Sequence, residues 1–122
     1  MIFCSNATDA LNLAIQGSVS KGDHIITSSI EHNAVARPLE HLKDAGVEVT
    51  KVNASLETGV DPSDVASAIK ENTKLAVFTH MSNVTGTIND VAAIGAICRE
   101  KGVPFLVDAS QSAGAIKIDV QK

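Results

Sequence analysis

Short apolar runs alternate with amphipathic segments along the whole chain, and this alternation predicts strands and helices in turn. The runs are rich in Val, Ile, Leu and Phe, as the interior of a parallel sheet requires. They predict five strands, at residues 1–4, 24–28, 47–52, 74–79 and 103–107. Strands that alternate with helices are typical of a largely parallel sheet with helices on both faces, so the predicted fold class is α/β.

Four segments between these runs carry apolar residues at helical spacing, and each is expected to lay one apolar stripe on the sheet. The stripes are Ala10, Leu11, Ala14 and Ile15; Val35, Leu39 and Leu42; Val65, Ala66 and Ile69; and Val91, Ile94, Ile97 and Cys98. Gly46 and Gly102 follow two of the stripes as helix stops, and Asp61 precedes Pro62 as an N-cap. Because Pro38 lacks an amide hydrogen, the second helix is expected to kink there or to have its first regular turn near it.

Composition and charge narrow the classes of function. The 122 residues suit one domain, and an aromatic content of 2% within 44% hydrophobic residues predicts an aliphatic core. A net charge of −4, with both signs mixed along the chain, argues against nucleic acid and membrane surfaces as partners. Cys4 and Cys98 lack metal-ligand spacing, so we expect two buried free thiols and a cytoplasmic protein without a targeting segment.

Polar residues follow four of the predicted strands, at 5–9, 28–33, 80–87 and 108–112. The carboxyl ends of parallel strands meet at one edge, where open α/β sheets bind ligands. Asp108 is the most informative of these residues, because a buried carboxylate needs a cationic partner and no Lys or Arg lies near it in sequence. A metal or a protonated ring nitrogen would supply that charge.

Each of these segments also has an ordinary structural explanation. Thr8 lies at a helix N-terminus that suits a phosphate group, but residues of its type also serve as N-caps. His32 suits stacking or proton transfer and equally suits capping a helix. Asn83 lies in a run typical of a glycine-containing loop, and Asp108 is of a type common in turns. The convergence of the four segments on one edge favours a binding site.

Four motifs together resemble a known family. They are Asn-Ala-Thr-Asp-Ala-Leu-Asn at 6–12, Glu-His-Asn-Ala-Val-Ala-Arg-Pro-Leu at 31–39, Ser-Asn-Val-Thr-Gly-Thr at 82–87 and Val-Asp-Ala-Ser-Gln-Ser at 107–112. In order and approximate spacing they resemble the class V aminotransferase branch of the fold-type I pyridoxal-phosphate (PLP) enzymes, most closely the cysteine desulfurase-like proteins. The resemblance covers essentially the whole chain.

The resemblance implies roles for individual residues in binding PLP. Ala7 and Thr8 would hold the cofactor phosphate at a helix N-terminus, where backbone donors and the dipole favour it. His32 would stack on the pyridine ring. Asp108 would pair with the protonated ring nitrogen, which supplies the missing cation and keeps the ring an effective electron sink.

The resemblance further places Asn83 and Gln111 near the phenolic oxygen of the ring and the substrate. The family pattern is not followed at Asn89 and Asp90, which replace a more usual Gln/Leu-Pro, and we expect this change to alter the local turn.

The family also needs a Schiff-base Lys, which by resemblance lies roughly two dozen residues beyond Gln111, after Lys122. Lys117 and Lys122 correspond to ordinary family positions, and we expect both to be solvated. The nucleophilic Cys of a desulfurase belongs to a later region still, and neither Cys4 nor Cys98 replaces it. The resemblance therefore implies that no catalytic residue lies within this chain.

By resemblance, residues 1–122 are an incomplete three-layer αβα large domain that lacks its last strands, the Schiff-base Lys segment and the C-terminal small domain. The later strands separate the first strand from the rest, so residues 1–4 would lose their partner and residues 103–107 would form an exposed apolar edge. We expect this edge to pair with another molecule or to receive the chain's own first strand.

The implied function is that of part of a PLP-dependent enzyme acting on cysteine or a related amino acid, a cysteine desulfurase or selenocysteine lyase, assembled as a homodimer or a strand-paired homo-oligomer. The chain alone is expected to be inactive and to bind PLP weakly or not at all. Two other functions stay open. One is a nucleotide- or phosphate-binding doubly wound module, although GxGxxG and GxxxxGK[ST] motifs are missing. The other is an assembly unit without a ligand.

Overall fold

A computed structural model of the chain describes residues 1–119. Helices and strands alternate along these residues, as the apolar pattern predicts, with one short hairpin inserted. The elements in order are α1 (Ala7–Ser18), β1 (His24–Ser28), α2 (Asn33–Asp44), β2 (Glu48–Val52), β3 (Ala54–Ser55), β4 (Gly59–Val60), α3 (Pro62–Ala68), β5 (Thr73–Thr79), α4 (Val91–Glu100) and β6 (Phe105–Asp108).

The four longer strands form one parallel sheet in the order β2-β1-β5-β6. The chain moves from β1 outward to β2 and then returns to the other side of β1 to form β5. The strand order therefore reverses between β1 and β5, and the segments that follow these two strands diverge. Open α/β sheets form their ligand clefts at such a reversal.

Successive residues of the central strands pack on opposite faces of the sheet, because side chains alternate along a strand. Ile25 belongs to a core that includes Leu11 of α1 and Leu39 of α2. Ile26 belongs to a second core that includes Val65 of α3 and Ile94 of α4. Helices therefore cover both faces, and the predicted α/β class is confirmed.

The predicted first strand is wrong. Residues 1–4 form no strand, and Met1, Ile2 and Phe3 are exposed by 106%, 81% and 89%. An apolar run becomes a strand only where a neighbour pairs with its backbone groups, and no strand among residues 1–119 lies beside this one. The expectation that this segment joins the edge strand β6 is therefore also wrong.

The two cysteines differ in burial. Cys4 is exposed because it belongs to the unpaired first segment, so its predicted burial is wrong. Cys98 is buried on the sheet-facing side of α4, as predicted, and both thiols are free.

The helix ends follow the sequence signals, with one exception. Asp61 caps α3 by accepting the Ser63 N–H at 2.8 Å, and Gly46 and Gly102 have φ of 90° and 68° just past α2 and α4. The exception is Pro38, which lies inside α2 and not in its first turn, because α2 already begins at Asn33. No helix within residues 1–119 is long and apolar enough to cross a membrane.

Candidate functional site

A cleft of about 170 Å³ opens at the carboxyl ends of β1, β5 and β6. Its walls include all six residues to which the sequence points: Ala7, Thr8, His32, Asn83, Asp108 and Gln111. These residues come from segments far apart in the chain, and parallel pairing brings the segments to one edge. The structure thus gathers the predicted set, while the role of each residue toward a cofactor stays a prediction.

The N-terminus of α1 forms one wall of the cleft. Asn6 is the N-cap, since its Oδ1 accepts the Asp9 N–H at 2.8 Å, and its Nδ2 donates to the Asp9 carboxylate at 3.2 Å. Ala7 and Thr8 follow in the first turn, where amide groups and the helix dipole favour an anion. The capping role belongs to Asn6, so the Thr8 hydroxyl is not needed for it.

His32 performs the structural role that the sequence left open, and it also lines the cleft. It is the N-cap of α2, and its Nδ1 accepts the Ala34 N–H at 3.1 Å. Because Nδ1 accepts, the proton of the neutral imidazole resides on Nε2. The cap therefore fixes the orientation of a flat ring at the cleft.

Asp108 is the one buried member of the predicted set, with 6% of its surface exposed. Its Oδ1 accepts the Ser110 N–H at 3.0 Å and the Ser110 hydroxyl at 2.5 Å. Among residues 1–119 no ion pair reaches this carboxylate, and no cluster of His, Cys, Asp or Glu could hold a metal ion. Ser110 thus holds the carboxylate through Oδ1.

Asn83 and Gln111 lie on the exposed rim of the cleft. The Ser82 N–H donates to the Thr87 carbonyl at 2.9 Å and so closes the loop that carries Asn83. Gln111 lies in a turn that the Ala113 N–H closes on the Ala109 carbonyl at 2.8 Å. Each amide side chain can donate and accept a hydrogen bond toward a ligand.

Two polar residues that line the cleft, and a third that lies beside it, were not singled out from the sequence. Ser110 supplies both donors to Asp108, and its position two residues after a strand-end aspartate is a local signal for such a turn. Thr79 lines the cleft at the end of β5. Glu31 lies directly before His32, and burial raises its pKa to about 7. No local pattern marks Thr79, and Glu31 is only the first residue of the motif at 31–39, to which no role was assigned.

Of the two late lysines, Lys117 is not among the residues that line the cleft. Lys117 is exposed, as expected, and Lys122 lies outside the described residues.

The family model of class-V aminotransferases matches residues 1–122. The cysteine desulfurase IscS of Pseudomonas fluorescens (strain Pf0-1) is 43% identical over 126 residues, which cover 100% of this chain and 31% of that protein. The chain thus spans less than a third of the length of this curated relative.

The chain also superposes on solved structures, among them a cysteine desulfurase. The apo cysteine desulfurase of Thermococcus onnurineus NA1 superposes with a TM-score of 0.89 at 33% identity, covering 98% of this chain and 31% of that one. A C-DES mutant with glycine covalently linked to its PLP cofactor superposes with a TM-score of 0.84 at 25% identity, covering 95% of this chain and 32% of that one.

Proposed function

This chain belongs to the class-V aminotransferase family, whose members depend on PLP, and we propose that it forms the PLP-binding part of a cysteine desulfurase. The observation that carries the proposal is Asp108, a buried carboxylate that faces a cleft without a cation among residues 1–119. A protonated pyridine nitrogen is the cation that PLP would bring.

The side chains around the cleft fit the parts of PLP. The N-terminus of α1 offers an anion site for the phosphate, with Ala7 and Thr8 in its first turn. The capped ring of His32 offers a flat face for the pyridine, and Asn83 and Gln111 offer polar groups on the rim. Asp108 completes the set at the buried end of the cleft.

PLP, when bound, withdraws electrons from the α-carbon of an amino acid through its cationic ring. The part of this chain is to bind and orient. Asp108, held by Ser110, would accept a hydrogen bond from a protonated ring nitrogen, and His32 would offer its face to the ring. The first turn of α1 would bind the phosphate.

We place the remaining machinery outside these residues. The relatives are about three times as long as this chain, which supports a lysine for the cofactor aldehyde and a nucleophilic cysteine elsewhere in the whole protein. The names of those relatives favour cysteine as the substrate. We further propose that the whole protein is a homodimer or a strand-paired homo-oligomer. We also propose that it works in a reducing cytoplasm, where its two free thiols stay reduced.

The test adds PLP to the whole protein that contains these residues and follows the cofactor absorbance. Asp108→Ala should weaken binding about tenfold or more, because a hydrogen bond to a charged group contributes about 1.5–3 kcal/mol. Asp64→Ala, which removes an exposed carboxylate from α3, should leave affinity unchanged. Borohydride reduction then shows whether a lysine outside residues 1–122 carries the aldehyde.

Other outcomes would support other functions. Thermal stabilisation by a nucleotide but not by PLP would indicate a nucleotide-binding module, because a ligand raises the stability of the state that it binds. No absorbance change at saturating PLP and no thermal shift with any nucleotide would indicate an assembly unit and would overturn the proposal.

A further inference from the structure

Glu31 lies where the strand order reverses, between the end of β1 and the end of β5. Its Oε1 accepts the Thr79 N–H at 3.0 Å, and it also accepts a hydrogen bond from the Ser28 hydroxyl. Ser28 ends β1, and Thr79 ends β5 and lines the cleft. One carboxyl oxygen therefore joins the loop that carries His32 to the strand that forms the floor of the cleft.

The second oxygen of the same group, Oε2, is buried and has no hydrogen-bond partner within residues 1–119. Leaving a charged oxygen in this state is costly, and burial accordingly raises the pKa of Glu31 to about 7. Hydrogen bonds from Ser28 and Thr79 lower it, whereas the negative charge of Asp108 on β6 raises it further. Asp108 pairs with Thr79 in the register of β5 and β6, so it lies next to the strand end that Glu31 contacts.

We propose that Glu31 is a second carboxyl group of the PLP site, a positioning residue that holds the His32 loop against β5 and adds an ionisable group beside Asp108. This inference rests on the proposed function. Its two parts, position and charge, are separable because Gln retains the Oε1 acceptor without the ionisation, and Ala retains neither. A charged Glu31 adds to the negative potential that Asp108 presents to the ring nitrogen.

The positional part is tested by PLP affinity in the whole protein at pH 7. Glu31→Gln should bind within about threefold of the unaltered protein, and Glu31→Ala should bind about tenfold more weakly, as expected for a lost hydrogen bond to a buried group. Glu71→Gln is the matched control, since Glu71 is exposed and precedes β5 at the opposite end of the sheet. If the Ala variant does not fold, Ser28→Ala removes one of the two donors, and an affinity loss of about threefold is expected.

The charge is tested with PLP labelled with nitrogen-15 in the ring, whose chemical shift reports protonation of the ring nitrogen. A negative charge beside Asp108 favours the protonated ring, so in Glu31→Gln the nitrogen should lose its proton at a pH lower by about half a unit or more. A group that is merely structural would not move this titration. The Glu71→Gln control should titrate like the unaltered protein.

The outcomes distinguish a failure of the proposed function from a failure of the role proposed for Glu31. Failure of the unaltered protein to bind PLP overturns the proposed function and this inference together. Normal PLP binding, with the ring nitrogen of Glu31→Gln titrating as in the unaltered protein, overturns this inference alone. The same holds if removal of the acceptor in Glu31→Ala or of the donor in Ser28→Ala leaves the affinity unchanged.

Discussion

Asp108 and Glu31 are two carboxyl groups at one edge of the sheet, and their oxygens differ in the hydrogen bonds that they accept. Ser110 gives both of its donors to Asp108, whereas Glu31 has donors at Oε1 and an unpartnered, buried Oε2. Ionisation of Glu31 therefore places charge where neither water nor a donor stabilises it. The folded state should resist that ionisation, with a measurable effect on stability.

We expect the free energy of unfolding to fall as the pH rises from about 4.5 to about 7. Glu31 has a pKa of about 7 in the fold against an ordinary value of 4.5, so the folded chain binds this proton more tightly than the unfolded chain. Its stabilising effect is complete below the unfolded pKa and is lost as the pH rises through the folded one. At about 1.4 kcal/mol per unit, the loss is about 3 kcal/mol.

Urea unfolding at pH 5 and pH 8 measures this loss. Glu31→Gln should reduce the difference in the free energy of unfolding between pH 5 and pH 8, and Glu71→Gln should retain it. Parallel profiles for the unaltered chain and Glu31→Gln would contradict the prediction, because His24 and the other titrating groups are the same in both proteins.

At single positions, the sequence predicted residues that follow strands and missed those that depend on packing. Thr8, His32 and Asp108 are recognisable because each lies just after an apolar run or at its end and belongs to a motif. The environment of Glu31 depends on Thr79, which is 48 residues away in sequence. No local pattern encodes that contact, so a buried glutamate and an exposed one look alike in the sequence.

At the scale of elements, the apolar pattern predicted helices and strands that are long enough to show a period. It predicted no strand at 53–60, where the structure has the hairpin of β3 and β4, because strands of two residues have no periodicity to detect. Of its two alternatives for Pro38, a kink or a first turn near this residue, the structure excludes the first turn, because α2 begins at Asn33. The buried residues Val35 and Leu39 flank Pro38, and their packing on the sheet stabilises a helix that continues through the proline.

Asn89 ties the hairpin to the sheet, which explains how so short an element is held. Its side chain is 1% exposed; Oδ1 accepts the Val60 N–H at 2.8 Å, and Nδ2 donates to the Thr79 carbonyl at 2.8 Å. Asp90 then caps α4 by accepting the Ala93 N–H at 2.9 Å. The two residues that depart from the family pattern thus organise this turn, and whether they change it relative to Gln/Leu-Pro stays a prediction.

We expect Asn89→Ala to lower the free energy of unfolding by about 2–4 kcal/mol, because two buried backbone groups lose their partners. Asn53→Ala, at an exposed position beside the same hairpin, should change it by less than about 0.5 kcal/mol. Urea titration at one pH compares the two. Equal effects would show that the buried hydrogen bonds of Asn89 do not stabilise the hairpin.

At the scale of the whole molecule, the two edges of the sheet differ. The edge strand β2 carries charged side chains: Lys51 pairs with Glu40 at 2.9 Å, and Glu48 pairs with Lys70. β6 carries Phe105, Leu106 and Val107, which are only half-buried. An edge strand with accessible apolar side chains is a site of strand pairing, whereas charged side chains oppose it. The one charged residue of β6, Asp108, is buried at the end of the strand.

We therefore expect the 122-residue chain to associate through β6 when it is studied alone. The Ala76 N–H donates to the Pro104 carbonyl and the His80 N–H to the Asp108 carbonyl, so by alternation the Val107 N–H points away from β5. Pairing with another molecule would protect that amide from hydrogen exchange. Val107→Pro removes the amide hydrogen, and an edge strand tolerates proline at a position whose N–H points outward. Light scattering should give an oligomer for the unaltered chain and a monomer for Val107→Pro.

The opposite edge supplies the matched control. The Glu48 N–H donates to the Asp23 carbonyl and the Ser29 N–H to the Val52 carbonyl, so the Val49 N–H points outward from β2 by the same alternation. Val49→Pro should leave the association unchanged, because charge already keeps that edge unpaired. A chain that stays monomeric at high concentration, with rapid hydrogen exchange at Val107, would show that the half-buried β6 edge is sufficiently protected by its own side chains.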